Sequence, residues 1–135
     1  MNPNLNEISK HLNSKKSKIY FWLALAFFII WLLFKYPIRK FVITANPEIN
    51  IFLGFAPNFF AAITLVFWQT YITNSKPFLT FLCVITVLFL AEFIQLFMRT
   101  QTADLWDLLA SFIGGVLAIS IVYFYEKRIL NKKRS

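Results

Sequence analysis

Four long stretches almost free of charge dominate the sequence: Ile19 to Phe34, Ile51 to Ile72, Pro77 to Met98 and Leu105 to Tyr125. A helix rises about 1.5 Å per residue, so roughly 20 residues cross the ~30 Å hydrocarbon core of a bilayer. The last three stretches reach that length. The first is shorter and spans only with Lys18 and Lys35 reaching out to the interfaces and Tyr20, Trp22 and Tyr36 at headgroup level. A chain of 135 residues that is 59% hydrophobic, with 17 phenylalanines, cannot hide this much apolar surface in a water-soluble domain. Its charged residues, 15% of the total, are gathered mainly between the apolar runs, which makes lipid the expected solvent. The expected fold class is all-α: a four-helix transmembrane bundle with spans at about 19–36, 51–73, 77–98 and 105–125, between basic tails 1–18 and 126–135.

A cleaved signal peptide competes for the first run, which follows a basic segment and precedes Thr44-Ala45-Asn46. The run is longer and more aromatic than the usual apolar region of about 7–15 residues, which favours a retained span. In the amino-terminal tail, Leu5, Ile8 and Leu12 have the spacing of a short interfacial helix, while Asn2, Pro3, Asn4, Asn6 and Asn13 suit an irregular polar tail equally well.

The cations set the orientation. Lys10, Lys15, Lys16, Lys18, Lys76, Lys127, Arg128, Lys132, Lys133 and Arg134 fall on one side, against Lys35, Arg39, Lys40 and Arg99 on the other, so both termini are expected in the cytoplasm. The net charge of +8 then reflects contact with anionic headgroups, since these residues flank apolar spans and carry no nucleic-acid-binding motif. The connections between the last three runs are too short for a second domain. The longest connection, roughly Lys35 to Asn50, contains Pro37 and Pro47 and is expected to cover the outer mouth of the bundle.

Several chemistries lack their residues. His11 is the only histidine and Cys83 the only cysteine, so neither a His/Cys metal cluster nor a Ser-His or Cys-His hydrolase at membrane depth can be assembled, and no cofactor is expected. Cys83 is expected to be a small buried apolar residue. The three glycines, Gly54, Gly114 and Gly115, form no phosphate-binding loop.

The informative residues are polar ones that lipid penalises. Glu92, Gln95 and Arg99 are spaced by three and four, and share one helix face. Asp104, Asp107 and Ser111 repeat the spacing, and Gly114 and Ala118 continue that face, with Gly115 adjoining, as a small-residue seam for close helix packing. Pro57-Asn58 interrupts the second run, and Pro57 removes a backbone hydrogen bond. Asn58, Glu92 and Ser111 each lie about seven residues inside the outer end of a span, roughly 10 Å deep, which puts polar groups from three helices at one level. A charge at mid-bilayer costs at least about 2.5–3.5 kcal/mol, so these side chains should face one another. One reading is a pocket open to the outer leaflet, where Arg99 attracts an anionic headgroup and Glu92, Asp107 and Asn58 orient it. The other is a structural network, with Arg99 paired to Asp104 or Asp107 and with Gln95 and Asn58 bonding across helices.

The segments Ala91-Glu92-Phe93-Ile94-Gln95-Leu96-Phe97 and Thr102-Ala103-Asp104-Leu105-Trp106-Asp107-Leu108-Leu109-Ala110-Ser111-Phe112-Ile113-Gly114 resemble the signature of VanZ-like membrane proteins. Glu92, Gln95, Arg99, Asp104, Asp107 and Gly114 match it in order. Ser111 stands where that family commonly has Asn, Ala118 where a second Gly is common, and Arg99 lies farther from Asp104 than usual. The resemblance covers about half of the chain. It implies a bacterial inner-membrane protein that binds or senses an amphiphile at the outer leaflet, whether membrane lipid, lipoglycopeptide antibiotic or lipid-linked wall precursor, without established catalysis. Two other functions stay open: a small proton-linked transporter using Glu92 or Asp107, for which four short helices would need homo-oligomerisation, and an enzyme on a lipid-linked substrate with Asp104 and Asp107 as acid and base.

Overall fold

The structure, a computed structural model, describes residues 14–38, 49–73, 76–95 and 105–132. The described chain is helical: α1 (Lys15–Leu33), continued by a wider π turn (Phe34–Ile38), then α2 (Ile49–Ile72), α3 (Pro77–Gln95) and α4 (Leu105–Lys132). Both readings of the amino-terminal tail, and the Thr44-Ala45-Asn46 segment, lie outside the described residues.

Ser14 caps α1, its hydroxyl accepting from the Ser17 N–H at 3.1 Å, a contact worth about 1 kcal/mol. At the other end, Pro37 has no N–H to offer the carbonyl four residues back, and the π turn lets the chain continue helical bonding past it. The helical stretch Ser17–Ile38 is therefore long and apolar enough to cross a membrane without help from flanking side chains. Lys35 still marks the boundary, its ammonium 4.8 Å from the centre of the Trp31 ring. At the carboxyl end α4 continues past the apolar run to Lys132, so most of the basic tail is helical.

Among the described residues three helices are long and apolar enough to cross a membrane: Ser17–Ile38, Pro77–Ile94 and Leu105–Ile129. Their outward faces carry Trp22, Phe78, Leu105, Trp106 and Phe124, each more than 60% exposed, a distribution that suits hydrocarbon and not water. Helix α2 carries Asn58 and Gln69 and is the central element, packing on α1, α3 and α4 and burying Ala56, Ala62, Ile63, Val66 and Phe67. Pro57 is accommodated inside it, buried and without ending the helix.

Two contrasting interfaces hold the described helices together. Between antiparallel α1 and α2 the contact is aromatic: Tyr20 stacks on Phe67, Phe27 meets both Phe67 and Phe60, and Phe34 meets Phe60, with ring centres 5.1–6.3 Å apart. Each such pair adds about 0.5–1.5 kcal/mol beyond burial. Between α4 and its neighbours the contact is one of small residues. A Cβ on Gly114 would strike the backbone carbonyl of Phe59 in α2, and one on Gly115 would lie 3.0 Å from Ile85 and 3.1 Å from Phe81 in α3. Ala118 and Val122 continue the buried edge. Cys83 corrects the expectation of burial: it is exposed on the outer side of α3. In a helix apolar all round, periodicity does not say which side faces inward.

Replacing Gly114 by Ala should cost about 1–3 kcal/mol by overpacking. Gly54→Ala, where nothing lies within 4 Å, should be neutral or stabilise by up to about 1 kcal/mol through helix propensity. Thermal unfolding of the two variants in detergent checks the contrast.

Candidate functional site

Several hydroxyls along the helices are satisfied by their own helix. Thr64 donates to the Phe60 carbonyl, Thr70 to Val66 and Ser120 to Val116, each at 2.7–2.9 Å, the usual way for a hydroxyl to remain in an apolar helix. Ser17 instead reaches across, donating to the Tyr71 carbonyl at 3.2 Å and tying the start of α1 to the end of α2.

Glu92 differs from these hydroxyls. It lies one turn before the end of α3, is only 8% exposed, and borders a cavity of about 10 Å³ that also touches Ser111 of α4. Ile85, Leu88, Phe89 and Leu108 complete the walls, so carboxyl and hydroxyl residues line one otherwise apolar enclosure. The space is enough for about one water molecule. A carboxyl is retained in such surroundings only when it is hydrogen-bonded, neutralised or paired.

The other sequence candidates are distributed around this pair. Gly114, three residues beyond Ser111, meets the backbone of Phe59, so Asn58 lies within about one helical turn of the Ser111 level. Asn58 is half-buried and does not line the cavity. Asp107 occupies the first turn of α4, where unsatisfied N–H groups and the helix dipole favour an acid, and it is half-buried. Gln95 is the last residue of α3, and its side chain, like Arg99 and Asp104 entirely, lies outside the described residues. The structure thus brings Glu92 and Ser111 together, puts Asn58 at a neighbouring level, and sets Asp107 one turn from Ser111 toward the end of the bundle.

Comparison with protein-family models, curated proteins and solved structures finds no match to this chain. Its chemistry must be read from its own residues. No group of three or more His, Cys, Asp or Glu able to hold a metal occurs among the described residues.

Tyr20 corrects the expectation of a ring at headgroup level: it is buried in the helical core. Its side chain is 1% exposed, it packs edge-on against Tyr125 of α4, and its hydroxyl has no hydrogen-bond partner among the described residues. The available signal was the seven-residue repeat Tyr20, Phe27, Phe34, which places the three rings on one side of α1.

Ser111→Ala, which strips the hydroxyl from beside a buried carboxyl, should lower stability by about 1–3 kcal/mol. Ser120→Ala, whose hydroxyl serves only its own helix, should change it by less than about 0.5 kcal/mol. Chemical or thermal unfolding of both proteins in one detergent decides this.

Proposed function

We propose that this is a VanZ-like integral membrane protein of four spans with both termini in the bacterial cytoplasm, which binds or senses the polar group of an amphiphile at the outer leaflet. The observation that carries the reading is Glu92, a carboxyl nine-tenths buried between α3 and α4 beside Ser111. An ionisable side chain among lipid-facing helices is costly, and its usual justification is function. Supporting it are the one-sided distribution of Lys and Arg, Asp107 in the first turn of α4, and the order of Glu92, Gln95, Arg99, Asp104 and Asp107 along the chain.

The small cavity refines the expected mode of binding. With room for about one water, the Glu92–Ser111 pair is the floor of a site and does not enclose a headgroup. The ligand would meet Asp107 and the segment holding Gln95, Arg99 and Asp104 at the rim. Arg99 supplies the charge for a phosphate or carboxylate, and Glu92 holds the floor through a bridging water.

Native mass spectrometry of the full chain in detergent, with phosphatidylglycerol and a teicoplanin-type lipoglycopeptide as probes, tests this. Wild type is expected to retain one of them, and Glu92→Gln and Asp107→Asn to lose at least about ten-fold in affinity while staying folded, the cost of one charge-assisted hydrogen bond. Equal retention by all three proteins, or loss of folding without a ligand difference, would make the cluster purely structural.

A further inference from the structure

The pair α3 and α4 carries a second feature at its other end. Gly115 of α4 lies against Phe81 and Ile85, and from there toward the start of α3 the two helices leave a groove of about 330 Å³. Phe78, Phe81, Ile119, Ser120, Tyr123 and Phe124 line it. The size is within the range of about 300–1,000 Å³ typical of small-ligand pockets. Phe78, Tyr123 and Phe124 are each more than half exposed, so the groove opens sideways to the bilayer.

Its mouth is cationic. Pro77 lines the groove, and exposed Lys76 immediately precedes it. Lys127, also exposed, is seven residues beyond Ser120 and four beyond Tyr123, so it extends the groove-lining face of α4 by one turn. The neighbouring acid, Glu126, is half-buried, whereas Lys127 and the following Arg128 are exposed. Charge and shape therefore match one amphiphile, with an apolar chain on the aromatic groove and a negative head between two lysines from different helices. The larger groove between α1 and α2, about 440 Å³ and lined by Phe21, Phe28, Thr64 and Trp68, has exposed Lys18 and Lys35 beyond its opposite ends, about 25 Å apart along the helix and too far to hold one headgroup together.

We propose that the α3–α4 groove binds one anionic phospholipid of the leaflet at the Lys76 end, its acyl chain against Phe78, Phe81 and Tyr123 and its phosphate held by Lys76 and Lys127. This site lies at the opposite end of the helix pair from Glu92 and does not depend on ligand binding there. Attraction of a lysine to an anionic surface corresponds to about five-fold in affinity, so the two together favour an anionic over a zwitterionic lipid by about 30-fold.

The test is lipid retention by the full chain released from vesicles of equal phosphatidylglycerol and phosphatidylcholine with identical acyl chains, read by native mass spectrometry. Wild type is expected to keep one phosphatidylglycerol in preference. Lys76→Gln with Lys127→Gln should reduce the preference at least ten-fold, and Lys18→Gln with Lys35→Gln, which removes the same charge elsewhere, should leave it within two-fold. A preference that survives the first pair, or falls equally in both, overturns the proposal. A folded Ser120→Phe variant fills the groove while keeping both lysines, and should release the lipid. Undiminished retention there also overturns the site.

Discussion

Everything in this arrangement depends on how closely α4 approaches its neighbours. In hydrocarbon there is no gain from burying apolar side chains against one another when lipid tails are equally apolar, so helix association relies on close contact and on specific polar contacts. Gly114 and Gly115, adjacent in sequence and about 100° apart around the helix, present bare backbone to two partners at once. One faces the Phe59 carbonyl of α2, the other Phe81 and Ile85 of α3. A methyl group at Gly114 would strike backbone and push α4 from α2, whereas one at Gly115 would press on the side chains of Phe81 and Ile85, one turn from Ser111 on the same α3–α4 interface.

The α1–α2 interface solves the same problem by the opposite means, with large rings meeting in place of absent side chains. Aromatic rings carry a quadrupole and make favourable edge-on or offset contacts that an aliphatic lipid tail does not reproduce. This accounts for part of the phenylalanine content in structural terms. Phe27, Phe34, Phe60 and Phe67 form one contact surface, while Phe78, Phe93 and Phe124 are largely exposed.

The four helices were legible because length and apolarity mark them, three of them being long and apolar enough to cross a membrane, and the face shared by Asp107, Ser111, Gly114 and Ala118 was legible because it obeys helical spacing. Cys83 and Asn58 were harder. Cys83 belongs to a helix apolar on every side, where no periodic signal marks the inward face, and the side on which Asn58 lies depends on the rotation of α2 between three neighbours. The continuation of α4 to Lys132 was hidden by the polarity of the tail, yet Glu126, Lys127 and Arg128 are good helix formers and no Gly or Pro intervenes before Lys132. The π turn was hidden for the converse reason, since Pro37 read as a break and the chain passes it by widening one turn.

The α3–α4 contact is less extensive than the α2–α4 contact, and the place of its glycine bears on this. Gly115 provides a single point of close approach near the middle of α3, with side chains of ordinary size on either side of it. Toward the Asp107 end the space that remains is closed by Leu88, Phe89 and Leu108 around one carboxyl and one hydroxyl. Toward the Lys76 end no comparable closure occurs, because Phe78 and Phe124 turn outward and leave the groove open to lipid. One contact thus divides a single helix pair into a small polar enclosure and an open amphiphilic groove. The same geometry sets the two features toward opposite ends of the pair, since a helix of this length puts its ends about 30 Å apart.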